Sequence, residues 1–431
     1  MAAVTMVEPR DTVGGTVRVP GDKSVSHRAL LFSAFADGRS LVRGILQSDD
    51  VQATARALRA SGWAVPEVSA AMTIDGCGLH PCSPSATPDL DCANSGTTTR
   101  LMAGVAAARP VASTFHGDAS LSRRPMRRVA APLEAMGARV EFLDQRDGLP
   151  MTVHGGTLHP IDYEVPVASA QLKSAVLLAG LCGGVSVRVR EPAPTRDHTE
   201  RMLSARGVSV DVVDGWLTLQ PTEHLRPLDV EVPGDPSSAA FFIARALLAE
   251  AGTLRVSHVL RSPYRDGFLR AVLRMGATLE VVSAPGGGGD ALEHIDVHGG
   301  ARLSAVALGR DDVTSMIDEI PMLAVLAARA EGTTEVRGAE ELRVKESDRI
   351  TAVVSNLRAI GVRAHELPDG LAVEGTDAPL AGHVITHADH RIAMAFGILG
   401  ATRNAAITID DPACVSVSYP GFWEELSRVA R

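Results

Sequence analysis

Lysine is nearly absent from this chain, because only Lys23, Lys173 and Lys345 among its 42 basic residues are lysines and the others are arginines. Cysteines are also few. There are five, with no C-x-x-C pair, so neither a disulfide framework nor a zinc site is predicted. The sequence contains no apolar run of the roughly 18 residues that suggest a membrane span, and residues 1–18 lack the apolar stretch of a signal peptide. We therefore expect a cytoplasmic protein with reduced thiols that does not bind membranes.

Charge and aromatic content narrow the class of protein further. The net charge of −9 disfavours nonspecific nucleic-acid binding, and aromatic residues make up only 3% of the chain. With 431 residues, of which 45% are hydrophobic, the chain is long enough for two domains with their own cores. An ammonium can approach a phosphate as a point charge and can move protons, so the three lysines are candidate functional residues. Compositional bias is the alternative explanation for their rarity.

One sequence unit recurs about six times, as a turn of small or polar residues that opens an apolar helix. The first and fourth copies are plainly alike, "VPGDKSVSHRALLFSAFADG" and "VPGDPSSAAFFIARALLAEAG". The six turns lie at residues 20–24, 94–97, 166–171, 233–237, 316–321 and 389–391.

A second element repeats in step with the first, as a short helix that ends at a glycine and is mostly followed by alternating apolar residues. Glycine takes the left-handed conformation of a helix end easily, and alternation at period two predicts a half-buried strand. We predict two similar domains of three units each, with apolar helices buried under sheets, and a flexible loop at residues 286–289. The helix-ending glycines are Gly62, Gly137, Gly207, Gly276 and Gly361.

The N-terminus of a helix attracts anions through its free N–H groups and its dipole, and several of the predicted helix starts also carry cations. Lys23, Ser24 and Arg28 begin the first helix, although the glycine spacing upstream does not fit a nucleotide-binding P-loop. An ordinary capped helix is the alternative there. Arg124 lies in a basic segment for which a solvated loop is the commoner explanation. Ser169, Gln171 and Arg196 each allow a purely local role as well.

Acidic candidates lie in the C-terminal half. Asp318 and its neighbour Glu319 interrupt an apolar stretch, where a carboxylate needs partners. Lys345 and Arg349 are four apart and are predicted to share a helix face beside Glu346, with an exposed ion-pair helix as the alternative. Several cations with two or three carboxylates suit two anionic substrates and proton transfer, and no metal-ligand spacing occurs.

Eight motifs carry a resemblance along nearly the whole chain: "GDKSVSHR", "NSGTTTR", "GDASLSRRPM", "ASAQLKSA", "TRDHTE", "SMIDE", "RVKESDR" and "DHRIAMAF". In content, order and spacing the chain resembles the 3-phosphoshikimate 1-carboxyvinyltransferase (EPSP synthase) family. The resemblance implies an α/β fold of two domains, each with three inverse βαβαββ-type repeats and helices buried under mixed sheets. It implies an upper N-terminal domain of residues 19–232, a lower C-terminal domain of residues 1–18 plus 233–431, and an active site in the cleft between them.

The resemblance also implies an activity. The family transfers the enolpyruvyl group of phosphoenolpyruvate to the 5-hydroxyl of shikimate 3-phosphate, in the pathway to aromatic amino acids. Asp318 would be the base on that hydroxyl, Glu346 would protonate the methylene carbon, Lys23 would assist both substrates and His390 would support the site. No cofactor or metal is implied, and we expect a monomer whose only partners are these two small molecules.

The binding residues follow from the same motifs. Those implied for shikimate 3-phosphate are Lys23, Ser24, Arg28, Ser169, Gln171, Arg196, Asp318 and Lys345. Those implied for phosphoenolpyruvate are Lys23, Gly96 through its backbone, Arg124, Gln171, Arg349 and Arg391.

Two positions qualify the resemblance. Many relatives carry a lysine where this chain has Val417, so affinity for phosphoenolpyruvate is expected to differ. Gly96 is where an alanine confers glyphosate tolerance in some relatives, whereas the wording of several motifs resembles the tolerant branch, so the herbicide response stays open.

Three alternatives were weighed against this family. The UDP-N-acetylglucosamine enolpyruvyl transferases use a cysteine in a mobile loop, and residues 113–126 contain none. A non-catalytic anion-binding homologue is disfavoured because Asp318 and Glu346 are both present. An RNA-processing cyclase is disfavoured by the acidic charge.

Overall fold

The computed structural model describes residues 8–144, 147–284 and 291–430. The loop predicted at residues 286–289 lies outside these ranges. The described chain divides into two compact units. We call the described residues of 21–232 the continuous unit, and those of 1–20, 233–286 and 290–431 the split unit.

Short strands and helices alternate along the chain. The strands are β1 (Thr12–Arg18), β2 (Asp37–Arg43), β3 (Ala71–Cys77), β4 (Asp89–Asp91), β5 (Ala112–His116), β6 (Arg139–Phe142), β7 (Met151–His154), β8 (Ile161–Glu164), β9 (Val187–Arg190), β10 (Val210–Val213), β11 (Trp216–Leu219), β12 (Val230–Glu231), β13 (Ala251–Leu260), β14 (Leu279–Ala284), β15 (Leu292–His298), β16 (Ala307–Leu308), β17 (Thr333–Val336), β18 (Arg363–Leu367), β19 (Gly370–Glu374), β20 (Leu380–Val384) and β21 (Ala405–Ile409).

The α-helices are α1 (Lys23–Ala34), α2 (Asp49–Ser61), α3 (Gly96–Ala107), α4 (Ala119–Ser122), α5 (Arg127–Ala135), α6 (Ala170–Gly183), α7 (His198–Ala205), α8 (Pro236–Leu247), α9 (Gly267–Arg274), α10 (Arg310–Thr314), α11 (Ile320–Ala327), α12 (Arg349–Ala359), α13 (His390–Gly400) and α14 (Phe422–Val429). Two 3-10 helices span Glu340–Val344 and Pro412–Val417.

Sheet topology repeats within the continuous unit, which contains three sheets. In the second sheet β4 runs parallel to β5, and β7 and β6 follow antiparallel. The third sheet has the same order, β8-β9-β11-β10. The first sheet is β12-β2-β3, so its parallel strand comes from the far end of this unit.

The split unit repeats the arrangement. Its first sheet pairs β1 in parallel with β13 and continues antiparallel through β15 and β14. The second has the order β16-β17-β19-β18, and the third is the parallel pair β20-β21. Three sheets thus have the complete βαβαββ connectivity with mixed strand directions, and the predicted fold class is confirmed. The sheet of β1 has the same strand order, although the continuous unit separates β1 from β13 along the chain.

A buried helix opens at each of the six predicted polar turns: α1, α3, α6, α8, α11 and α13. These helices are buried around most of their circumference, and all eight residues of α11, for example, are buried and apolar. A helix without a polar face is stable only when neighbours cover every side of it. The helices α2, α5, α7, α9 and α12 instead end one or two residues before glycines with φ between 88° and 114°, as predicted. The prediction that all of them are short is wrong for α2, which has 13 residues.

Candidate active site

Lys23 is the first residue of α1, beside a capping aspartate. The Asp22 side chain accepts the Val25 N–H at 2.8 Å, which satisfies one of the free donors of the helix start. The Lys23 ammonium forms an ion pair with Asp50, a buried carboxylate in the first turn of α2. The pair fixes a cation at the start of the helix, where the helix dipole also favours an anion.

Arg28 lies one turn further along α1 and is almost fully buried. Its Nε donates to Thr199 at 2.7 Å, its Nη2 to Ser174 at 2.7 Å, and its Nη1 to the Ser24 carbonyl at 3.0 Å. These bonds join the starts of α1, α6 and α7. Burial lowers the pKa of Arg28 to about 10 against the opposing pull of nearby carboxylates, and the Arg196 cation lowers it further. Two guanidinium groups in one neighbourhood form a place where an anion is stabilised.

The starts of α3 and α6 meet through Gln171. Its Nε2 donates to Thr97 Oγ1 at 2.9 Å, and its Oε1 accepts from Arg100 at 2.7 Å. A Cβ built on Gly96 would lie 2.6 Å from Arg100 Nη1 and 3.1 Å from Arg124 Nη1. Two guanidinium groups therefore lie directly over the first residue of α3.

Arg124 is buried, whereas its neighbour Arg123 is exposed, so this stretch is not a uniformly solvated basic loop. Arg124 Nη2 donates to Asn94 Oδ1 at 2.9 Å, which directs the side chain towards the turn before α3. Ser169 caps α6 by accepting the Leu172 N–H at 3.4 Å. The continuous unit thus gathers seven of the predicted residues at the ends of four helices: Lys23, Ser24, Arg28, Gly96, Arg124, Gln171 and Ser169.

In the split unit, Arg349 is the centre of the charged cluster. Its side chain is 1% exposed and faces three carboxylates: Asp389 at 2.8 Å, Glu346 at 2.6 Å and Asp318 at 3.5 Å. Burial alone would lower the pKa of Arg349, but these carboxylates outweigh it and raise the pKa above its ordinary value. Burial likewise opposes ionisation of Asp389, yet Arg349 keeps the pKa of that carboxyl below its usual range.

Two further cations reach Asp318. Lys345 Nζ lies 3.6 Å from Asp318 Oδ1, and Arg391 Nη1 donates to the Asp318 carbonyl at 3.0 Å. The predicted helix face shared by Lys345 and Arg349 is wrong, because the 3-10 helix ends at Val344 and α12 begins only at Arg349. The two side chains meet at Asp318 across this break.

The fourth helix start also acquires a cation, although none lies beside it in the sequence. Arg265 Nη2 donates to Asp235 at 2.9 Å and to Ser237 at 2.8 Å at the beginning of α8. The Ser237 hydroxyl in turn donates to the buried carboxylate of Glu319. This connection links α8 to the residue that follows Asp318.

Sequence reasoning missed several residues that hold these clusters together. Asp389 was noted only as part of a helix start, and the contacts of Asp50, Arg100 and Arg265 were not predicted. An aspartate directly before a helix and the basic residue in "NSGTTTR" were the available signals. Neither indicates which distant side chain completes the contact.

Two further positions were singled out in the sequence, His390 and Val417. His390 is buried as the first residue of α13, and Val417 is half-buried at the end of a 3-10 helix. Within the described ranges, no three histidine, cysteine or acidic side chains are grouped as metal ligands would be. In the same ranges no helix combines the length and the apolar character needed to cross a membrane.

Comparison with known proteins decides the family. The family model for EPSP synthase (3-phosphoshikimate 1-carboxyvinyltransferase) matches residues 7–426. The chain belongs to this family. The predicted recognition, enzyme class and reaction are therefore confirmed at the level of the EPSP synthase family, and a UDP-N-acetylglucosamine enolpyruvyl transferase is not favoured.

Individual EPSP synthase relatives match over nearly their whole length. The 3-phosphoshikimate 1-carboxyvinyltransferase of Parvibaculum lavamentivorans is 44% identical over 98% of this chain and 95% of its own. The enzyme of the same name from Aquifex aeolicus is 43% identical over 98% of this chain and 99% of its own. The structure of EPSP synthase from Acinetobacter baumannii superposes with a TM-score of 0.85 at 38% identity. The match covers 98% of this chain and 97% of that structure's chain. The enolpyruvyl transferase NikO from Streptomyces tendae, at 18% identity and a TM-score of 0.73, shares the fold.

Proposed function

We propose that this protein transfers the enolpyruvyl group of phosphoenolpyruvate to the 5-hydroxyl of shikimate 3-phosphate and releases phosphate. The observation that carries this proposal is the buried Arg349, which holds the Asp318 and Glu346 carboxylates at 3.5 and 2.6 Å. One permanent cation thereby keeps two acids in place for opposite proton transfers. Two anionic substrates also repel each other, so bringing them together needs the cations that both units supply.

The cluster around Arg28 suits shikimate 3-phosphate. Arg28 and Arg196 are the cations for its phosphate, with Lys23 and Ser24 at the start of α1. Ser169 and Gln171, at the start of α6, supply a hydroxyl and an amide for the ring hydroxyls. Asp318 and Lys345 of the split unit complete the set that we assign to this substrate.

A second set of cations suits phosphoenolpyruvate. Arg124 stands over Gly96 at the start of α3, where backbone N–H groups are available to the anion, and Gln171 and Lys23 lie at neighbouring helix starts. Arg349 and Arg391 contribute from the split unit. Placement of both substrates between the two domains stays a prediction.

The proton transfers follow from the two carboxyl groups. Glu346 would protonate the methylene carbon of phosphoenolpyruvate, while the 5-hydroxyl oxygen attacks the adjacent carbon and Asp318 accepts the hydroxyl proton. The resulting tetrahedral intermediate would then lose a proton from its methyl group and expel phosphate, which restores the enol ether. Lys23 and Lys345 would stabilise the charge that develops on the substrates.

The proposal is tested by phosphate release from phosphoenolpyruvate with and without shikimate 3-phosphate. We expect release that depends strictly on the second substrate. Asp318→Ala and Glu346→Ala should each keep the fold by circular dichroism and lower kcat by about a hundredfold or more. Glu331→Ala, which removes an exposed carboxylate of the split unit, is the matched control and should behave like the parent protein.

Parent-like turnover in both active-site variants would remove the assignment of these two acids. Phosphate release that does not need shikimate 3-phosphate would remove the proposed reaction. The monomeric state and the cytoplasmic location stay predictions, and sedimentation equilibrium tests the first of them.

A further inference from the structure

Lys173 is buried near the start of α6 between two carboxylates. Its side chain is 4% exposed, and its Nζ lies 2.7 Å from Glu191 Oε2 and 2.7 Å from Glu200 Oε1. Glu191 directly follows β9, whereas Glu200 lies in the first turn of α7. One ammonium thus connects α6, the end of β9 and the start of α7.

The electrostatics favour this contact strongly. Burial by itself disfavours the ammonium, yet Glu200 and Glu191 together raise the pKa of Lys173. Burial raises the pKa of Glu200, and Lys173 opposes that rise. Without the lysine, the buried Glu200 carboxylate and the half-buried Glu191 carboxylate would lose their shared cation and repel each other, which is unfavourable. An ammonium with three donors can bind both acids at once.

The segment between the two glutamates carries Arg196. Near its first end, the Thr195 hydroxyl donates to Glu191, the carboxylate that Lys173 holds. Near its second end, Thr199 shares a hydrogen bond with Ser174, the neighbour of Lys173 on α6, at 2.8 Å. Both ends of the segment are therefore fastened to two adjacent residues of one helix.

Arg28 completes the arrangement. Its Nε and Nη2 donate to the same Thr199 and Ser174 hydroxyls, and its pKa responds to the Arg196 charge. Fixing the segment therefore fixes the relation between the two guanidinium groups. The two cations repel each other, so the contacts that hold the segment favour their shared position.

We propose that Lys173 is a positioning residue, whose ion pairs to Glu191 and Glu200 hold the Arg196 segment so that Arg196 stands beside Arg28 at the phosphate of shikimate 3-phosphate. This inference rests on the proposed function, in which those two arginines bind that phosphate. Lys173 itself touches neither substrate. Its contribution is to preserve a geometry that two like charges disfavour.

The test compares four variants by steady-state kinetics: Lys173→Met, Thr195→Val, Arg196→Met and Arg109→Met. Arg109 is the matched control, because it is a buried cation of the same unit. It donates to the Ser61 carbonyl at 2.9 Å, near the C-terminal ends of α2 and α3 and away from the helix starts that carry the candidate site. We expect Lys173→Met to raise KM for shikimate 3-phosphate about tenfold, with kcat and KM for phosphoenolpyruvate changed less than about twofold. Thr195→Val, which leaves the ion pairs intact, should raise the same KM about threefold.

The double variant of Lys173 and Arg196 separates positioning from general damage. If Lys173 acts through Arg196, the double variant should be no worse than Arg196→Met alone, because the same interaction is lost once. The inference would be overturned if the KM increases of the two single variants multiplied in the double variant. It would also be overturned if Arg109→Met raised this KM as much as Lys173→Met does. A third contrary outcome is a parent-like KM in Thr195→Val while Arg196→Met raises KM as expected. An unchanged KM in Arg196→Met would instead overturn the proposed phosphate site. Should Lys173→Met not fold, Thr195→Val decides between the outcomes.

Discussion

At the scale of single residues, opposite charges are concentrated around one buried arginine. Arg349 has three carboxylate neighbours, and burial keeps water from screening them. Lys345 and Arg391 add positive charge at Asp318. The cluster therefore holds its acids in fixed positions, as the proposed proton transfers require.

Gly96 provides a prediction at this scale. In Gly96→Ala the new methyl must displace the ends of Arg100 and Arg124, which lie 2.6 and 3.1 Å from its position. Both are flexible side chains, so the fold should survive. We expect KM for phosphoenolpyruvate to rise about fivefold and kcat to change less than about twofold, because one binding group moves while the acids stay.

Gly156→Ala is the control for that experiment, since a Cβ at Gly156 meets nothing within 4 Å. It should leave both KM values as they are in the parent. An unchanged KM for phosphoenolpyruvate in Gly96→Ala would show that the start of α3 does not bind that substrate.

At the scale of elements, a buried chain of hydrogen bonds ties three helices of the continuous unit together. His27 Nδ1 on α1 bonds Thr54 on α2 at 2.7 Å, and Thr54 bonds Thr98 on α3 at 2.7 Å. Thr98 continues to the capping hydroxyl of Ser95 at 2.8 Å. The helix starts that carry Lys23 and Gly96 are thereby coupled through the side chains of His27, Thr54 and Thr98.

His27 makes this connection sensitive to acid. Burial, followed by Lys23 and Arg28, holds the pKa of His27 well below 6.5, so the ring stays neutral in the folded chain. The unfolded chain takes up a proton as the pH falls through about 6.5, so the stabilisation is fully present above that pH and is lost below it. Between pH 7.5 and 5.5 the free energy of unfolding should fall by about 1 kcal/mol more in the parent than in His27→Gln.

Urea unfolding at the two pH values measures this difference. His80→Gln, at an exposed histidine, is the control and should follow the parent protein. Equal acid sensitivity in the parent and in His27→Gln would assign the effect to other groups.

At the scale of the whole molecule, each compact unit contributes an arginine assigned to phosphoenolpyruvate. Arg124→Met in the continuous unit and Arg391→Met in the split unit should each raise KM for phosphoenolpyruvate about tenfold or more, because each removes a charge-assisted contact. Exposed Arg255→Met is the control. A variant with parent-like kinetics would mean that its unit does not bind this substrate.

Much of the architecture could be predicted because it depends on neighbours in the chain. The polar turn before each apolar helix and the glycine after each short helix are read over a few residues, and the helix starts agree with them. The site is different. Their spacing predicts that Lys345 and Arg349 share a helix face, but the chain leaves helical geometry between them, and the two side chains meet at Asp318 instead.

The sequence by itself determined the repeated βαβαββ unit, the buried helices and the family, because periodicity, capping and motif order are local or additive signals. Only the tertiary structure decided which charges meet. Arg349 pairs with Asp389 forty residues away, and Lys173 forms ion pairs with Glu191 and Glu200. Arg265 donates to the start of α8, which has no cation beside it in the sequence. Such pairings follow from how the sheets and helices pack, and a linear pattern carries no information on which of many arginines and acids packing will bring into contact.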